Sequence, residues 1–247
     1  MQPDQVEITM PVGACAAYMF CPPSAGPWPA VLFLMDGFGI RPALFEMAER
    51  LAQGGYVVLL PNLYYRAGAH DALVPKEVFA AGNVQAQLGP LIASTDNRRG
   101  AEDAGSFLDF LDTRVEVKQG GIAVVGYCRT GALALTVAAT YPDRITAVAS
   151  FHGGNLATDA DDSPHLLASE IRARVYVAGA DQDASYPPEM AARLGTALTE
   201  ANVDHHCEIY EGARHGWAMP DFPVYDADAS ERHWHALFAL LDATLKH

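Results

Sequence analysis

The stretch at residues 124–132, Val-Val-Gly-Tyr-Cys-Arg-Thr-Gly-Ala, constrains this chain more than any other. An apolar run at 121–125 leads into it, and an apolar run with helical spacing, 132–141, leads out. The pattern reads as strand, sharp turn and helix, with a nucleophile-type side chain at the apex. It is the cysteine form of the small-x-nucleophile-x-small elbow, which forces the apical residue into strained backbone angles. Small residues two before and two after let the strand and helix approach; here those positions are Gly126 and Thr130, with Gly131 directly behind. A buried cysteine in an ordinary strand-to-helix turn would give the same five residues, so the context has to decide.

The context is a regular alternation of strands and helices. Residues 6–10 and 15–20 alternate like the two strands of a hairpin about Pro11-Val12-Gly13. Continuous apolar runs at 30–35, 56–60, 121–125, 145–151 and 175–178 read as buried strands, and 206–210 as a short one. Helical spacing covers 42–52, 96–111, 132–141, 187–201 and 226–245, while 62–95 reads as short helices and loops over one end of the sheet. Such alternation predicts a mostly parallel central sheet with helices on both faces. With half of its 247 residues hydrophobic and no linker, repeat or low-complexity tract, the chain is expected to form one α/β domain over 1–247.

Charge and cysteine usage narrow the function. A formal net charge of −14 opposes phosphate backbones and anionic membrane surfaces, so neither nucleic acid nor a membrane is an expected partner. No apolar run is long enough to span a bilayer, and Met1-Gln2-Pro3-Asp4-Gln5 lacks a signal core. Cys15, Cys21, Cys128 and Cys207 are scattered without metal-ligand spacing. Free thiols, a cytoplasmic setting, no metal and no cofactor are expected. The partner is a small molecule, and the chain a monomer or homodimer.

In open parallel sheets the site lies beyond the carboxyl ends of the strands. Four predicted strand ends carry site-forming groups: Asp36-Gly37, Cys128, Asp183 and His215. The last three run nucleophile, acid, histidine, the chain order of a triad built on a nucleophile elbow. A thiol is only a few per cent ionised at neutral pH and needs a base, for which His215 is the candidate. Asp183 would orient the imidazole. The N–H groups of Arg129 and Gly37 would form the oxyanion hole. Asp181 competes with Asp183, which is favoured by Pro187 opening the next helix. His205 and His206, at a strand start, belong to the surface or the far end of the sheet. His152 ends a strand and either lines the pocket or is structural. Tyr127 and Trp217 are further pocket candidates. His233, His235 and His247 fall on the terminal helix and tail, where solvated residues are the usual answer. Cys15, Cys21 and Cys207 read as small core or edge residues.

With Gly126-Tyr127-Cys128, Asn62-Leu63-Tyr64, the 179–183 stretch with Pro187, and His215-Gly216-Trp217 in place, the chain resembles the dienelactone hydrolase family. The likeness runs from about residue 5 to the C-terminus. It implies an α/β-hydrolase fold, a metal-free Cys-Asp-His triad, and cleavage of a carboxylic ester or lactone. It also implies that Asp36, where the best-known relatives carry glutamate, contacts and tunes the resting thiol. Two departures stand out. Arg129-Thr130 replaces an apolar residue and glycine, and Trp217-Ala218-Met219-Pro220 lacks the substrate-binding arginine that follows the family's histidine. These departures motivate an alternative, a non-catalytic small-molecule binding or sensor protein on the same scaffold.

Overall fold

Eight strands form one sheet in the order β1-β2-β4-β3-β5-β6-β7-β8. The computed structural model describes residues 2–70 and 72–246. The strands are β1 Asp4–Thr9, β2 Ala14–Phe20, β3 Ala30–Leu34, β4 Val57–Pro61, β5 Ile122–Tyr127, β6 Ile145–Phe151, β7 Arg174–Gln182 and β8 His205–Arg214. The β1–β2 hairpin joins β4 antiparallel; every pairing from β4 to β8 is parallel. β3, β4 and β5 are buried along their whole length, which is why each reads in sequence as an unbroken apolar run.

The helices are α1 Pro42–Gln53, α2 Pro75–Ala80, α3 Val84–Ile92, α4 Asn97–Asp112, α5 Arg129–Thr140, α6 Pro188–Glu200 and α7 Ala227–Leu245. α4 and α5 pack on one another on one face of the sheet, and α7 packs on β5, β6 and β7 on the other beside α1. The α1–α7 contact is tied by a two-pronged Arg50–Glu231 ion pair at 2.7 Å. This is the α/β-hydrolase architecture, with helices covering both faces of a mostly parallel sheet. Asp96 and Asp226 cap α4 and α7 by accepting the N–H groups of Arg99 and Ala229.

The last two strands differ from expectation. β7 continues through Gln182 and β8 through Arg214, where apolar runs ended near 178 and 210. Gly179 and Gly212 look like turn residues in sequence. In the sheet, Gly179 pairs with Ile209, and an irregularity at 180–182 re-registers the strands so that Gln182 pairs with Arg214. The extension delivers Asp183 and His215 to the same height above the sheet.

Candidate active site

The elbow is built as its spacing demands, with one substitution of roles. Cys128 sits at φ 57°, ψ −126°, a conformation that a non-glycine residue holds only when its surroundings impose it. A Cβ on Gly126 would lie 2.1 Å from the Thr130 carbonyl oxygen, so this position admits only glycine. On the other side the close approach is carried by Gly131, whose Cβ would lie 2.3 Å from Ser150 Oγ and 2.8 Å from Gly153 Cα. Thr130 is therefore free to do something else. Its buried hydroxyl receives the Tyr127 N–H at 3.0 Å and donates to the Tyr127 carbonyl at 2.9 Å, clasping the turn from within.

Cys128, His215 and Asp183 come together in line. His215 Nε2 lies 3.1 Å from Cys128 Sγ, and His215 Nδ1 lies 2.6 Å from Asp183 Oδ2. The competing acid, Asp181, instead accepts the Gly212 N–H. Asp183 is anchored by a residue the sequence reading did not single out. Ser185 gives its N–H (2.8 Å) and its hydroxyl (2.6 Å) to Oδ1, leaving Oδ2 for the imidazole. The i to i+2 bond is an Asx-turn, and Asp183-Ala184-Ser185 before Pro187 was its readable signal.

These contacts set the charges. Burial alone would lower the His215 pKa; its hydrogen bonds to Asp183 and Cys128 and their negative charges outweigh that and push it up to about 10. Burial alone would raise Asp183; the bond and charge of His215 and the two bonds from Ser185 hold it below the usual carboxylate range. The arrangement favours an imidazolium next to the sulfur.

The loop after β3 is fixed at both ends of one peptide. Tyr64 Oη donates to the Gly37 carbonyl at 2.8 Å, and the Phe38 N–H donates to Asp36 Oδ1 at 2.8 Å. Among the described residues the Gly37 N–H has no acceptor. Arg129, at the first turn of α5, sends its guanidinium to the Thr95 carbonyl at 3.1 Å and leaves its backbone N–H at the elbow.

Three expectations need correction. Asp36 does not touch the thiol. Its two oxygens are taken by Arg41, at 2.7 Å each, and by the Phe38 N–H, while Arg41 also binds Asp221 at 2.6 Å. Arg41 lies only five residues on, but Asp221 is 180 positions from it, and nothing local marks that pairing. Tyr127, His152 and Trp217 are fully buried and form a packed wall behind the triad rather than an open pocket. His152 stands edge-on to His215 at 5.4 Å between ring centres, and Trp217 edge-on to His152 at 5.4 Å. Burial, with His215 and His233 nearby, drives the His152 pKa well down, so this neighbour stays neutral. His233, expected in solvent, is also fully buried, contacts Tyr127 Oη at 3.2 Å, and is lowered by burial to about 3. The helical face it shares with Trp234 and Leu237 points inward because Tyr127 and Phe151 need a partner there. His205 and His206 lie at the start of β8, at the opposite end from the triad.

Among the described residues no cluster of three or more His, Cys, Asp or Glu could hold a metal ion, and no helix is long and apolar enough to cross a membrane.

Comparison with known proteins agrees with this architecture. A provisionally named carboxymethylenebutenolidase of Synechocystis sp. is 25% identical over 236 residues, covering 94% of this chain and 92% of that protein. Carboxymethylenebutenolidase 1 of Cupriavidus pinatubonensis is 32% identical over 142 residues, covering 56% of this chain and 57% of that protein. Among solved structures, a dienelactone hydrolase-like promiscuous phosphotriesterase from metagenomic libraries superposes with a TM-score of 0.78 at 25% identity, covering 99% of this chain and 98% of that one. The profile of the dienelactone hydrolase family matches residues 15–245, nearly the whole chain, so this hydrolase belongs to the dienelactone hydrolase family.

Proposed function

We propose that this hydrolase cleaves a carboxylic ester or lactone with Cys128 as nucleophile, His215 as base and acid, and Asp183 as orienting group. The observation that carries the reading is the unbroken line from Sγ through the imidazole to Oδ2, at 3.1 and 2.6 Å.

Cys128 Sγ, its proton passing to His215 Nε2, adds to the substrate carbonyl and forms the C–S bond. The oxygen takes up the electron pair and sits on the Gly37 and Arg129 N–H groups. Collapse expels the alkoxide, which takes the proton from His215, and a thioester remains. A water then gives its proton to His215 as its oxygen attacks the thioester. Collapse of the second tetrahedral intermediate releases the acid, and the proton on His215 is again shared with the sulfur. Asp183 keeps Nδ1 protonated throughout.

The test is turnover of p-nitrophenyl acetate, p-nitrophenyl butyrate and cis- and trans-dienelactone by wild type and Cys128→Ala. Hydrolysis of any of these, lost in the variant, is the expected result. Alkylation by a haloacetamide adds a second readout: one thiol reacts fast near neutral pH, is absent in Cys128→Ala and slows in His215→Ala. Absence of hydrolysis together with uniformly slow alkylation of all four thiols would overturn the enzyme reading in favour of a binding protein. Gly37→Pro deletes one oxyanion donor, and its expected cost is on the order of 10²–10³ in turnover. Normal turnover in the folded variant would remove Gly37 from the oxyanion hole.

A further inference from the structure

The proposed reaction draws on the Gly37 N–H as an oxyanion donor. β3 runs beside β5 with Leu34 opposite Gly126, so the chain leaves the two strands side by side at Gly37 and Cys128. A Cβ on Gly37 would lie 3.9 Å from the stem of Arg129, the residue that carries the other donor, and 3.9 Å from Leu88. Nothing therefore packs tightly on Gly37, and without a side chain it cannot anchor its own backbone. The peptide that carries its N–H has only a long bond, from the Gly39 N–H to the Asp36 carbonyl at 3.4 Å. A donor must be held where the charge develops, so its direction has to be fixed by the next peptide.

That next peptide is gripped from outside the loop. The Tyr64 hydroxyl donates to the Gly37 carbonyl at 2.8 Å, across 27 residues of chain. Together with the Phe38 N–H bond to Asp36 it fixes the plane of the Gly37–Phe38 peptide, because that unit is rigid. Tyr64 is itself aimed. Asn62 directly follows β4, and its N–H donates to the Ala16 carbonyl on β2 at 2.9 Å. Its side chain accepts the Tyr64 N–H at 3.0 Å, an Asx-turn that points the tyrosine back over the sheet. The ring is fully buried and would meet a Cβ on Gly39 at 3.6 Å. Burial pushes the phenol above the usual tyrosine range, so it remains a donor. β4 is the neighbour of β3, which is why a turn at its end can reach the loop beyond β3.

We infer that Tyr64 is a positioning residue for the oxyanion hole: by holding the Gly37 carbonyl it keeps the Gly37 N–H directed at the oxygen of the tetrahedral intermediate. Asn62 sets the direction of Tyr64, which gives the Asn62-Leu63-Tyr64 stretch a part in the reaction. The inference rests on the ester-hydrolase reading and deepens it. It separates Tyr64 from the next residue, Tyr65, whose hydroxyl bonds Asp103 at 2.9 Å and ties the loop to α4 instead.

The experiment compares wild type with Tyr64→Phe, which keeps the ring and removes the hydroxyl, in two reactions of Cys128. Hydrolysis of p-nitrophenyl acetate or butyrate passes through an oxyanion twice. Alkylation by iodoacetamide, a displacement at a saturated carbon, forms none. The expected result is a fall in kcat of about tenfold or more, short of the 10²–10³ of a deleted donor. KM should hold, because acylation and deacylation use the same hole and are slowed together. The rate of Cys128 alkylation, followed by mass spectrometry, should stay at the wild-type value. Asn62→Ala should show the same signature at smaller size, and it carries both readouts if Tyr64→Phe does not fold. Tyr65→Phe should leave kcat unchanged. Undiminished kcat in folded Tyr64→Phe overturns the inference. So does a parallel loss of turnover and alkylation, or an equal loss of kcat in Tyr65→Phe. Failure of the hydrolase reading looks different: wild type itself then turns over no ester, and the role of Tyr64 falls with it.

Discussion

Asp36, just beyond β3, and Asp183, just beyond β7, are both buried carboxylates paired with a cation at the top of the sheet, and they are put to opposite uses. Asp36 faces Arg41, whose guanidinium never gives up its proton; burial opposes that charge, but Asp36 and Asp221 more than restore it, so its pKa is pushed up further. The Phe38 and Phe222 rings flank the guanidinium at 5.8 and 5.3 Å. Asp183 faces His215, whose proton can move, and whose other nitrogen touches a thiol. A saturated pair holds a loop in place. A pair with a titratable member and an open end can do chemistry. Burial and an ion pair are common to both, so neither property alone identifies a catalytic acid.

The largest expected effects fall on the second pair. Cys128→Ala and Asp183→Asn should each lower kcat by about 10⁴-fold or more, the usual consequence of removing the nucleophile or fixing the wrong imidazole tautomer. Asp36→Asn should cost far less, since Asp36 makes no contact with sulfur. Equal losses in Asp36→Asn and Asp183→Asn, measured by steady-state turnover on folded protein, would break the comparison.

Stability should show the reverse order. Arg41→Met strands a fully buried Asp36 and should cost about 3–5 kcal/mol in denaturant unfolding. Adding Asp36→Asn to Arg41→Met should recover a good part of the loss, because the uncompensated charge is then gone. A single variant as stable as wild type would mean that the Asp36–Arg41–Asp221 cluster is not what holds the loop after β3.

The two pairs should also part company with pH. His215 is raised to about 10, so its contribution to stability is fully present below its unfolded value, near 6.5, and is lost as pH rises through about 10. Asp183 is lowered, so its contribution is present above its unfolded value and is lost as pH falls through the depressed one. The Arg41 pair has no alkaline loss in this range. Proton NMR of the His215 ring should place its titration well above that of an ordinary histidine. The titration should move down in Cys128→Ala, where the hydrogen bond and charge of the sulfur are removed. An ordinary midpoint in wild type would refute a charged imidazolium held between Asp183 and the sulfur.

How much of this was legible in the sequence depends on the range of the contact. The elbow, the buried strands, the capped helices and the order Cys128, Asp183, His215 are local patterns or strand ends, and the residues announce them. The apolar runs stop short of the ends of β7 and β8 because Gly179 and Gly212 mimic turns; Gly179 pairs with Ile209 across the sheet, and β8 runs on past Gly212 to pair Arg214 with Gln182. The thiol contact expected of Asp36 failed because its carboxylate goes to Arg41, and Arg41 is locked by a partner 180 residues away. His233 reads as solvated because it directly follows Glu231 and Arg232 on the helix, until Tyr127 and Phe151 are seen to face it.

The smallest effect probes the best-hidden member of the site. Ser185 makes two bonds to the Asp183 oxygen that the imidazole does not use, 2.8 Å from its N–H and 2.6 Å from its hydroxyl. Ser185→Ala deletes only the second. A hydrogen bond to a charged group is worth about 1.5–3 kcal/mol when wholly lost, but the N–H stays, so kcat should fall by about tenfold rather than by the 10⁴-fold of Asp183→Asn. If Ser185 positions the acid, KM should hold while kcat falls, and the His215 titration should move slightly down as Asp183 becomes less firmly ionised. Ser185→Thr, which keeps the hydroxyl, should restore both. Loss of stability with unchanged kcat would instead make Ser185 part of the turn before α6, and the asymmetry between the two aspartates would then rest on His215 alone.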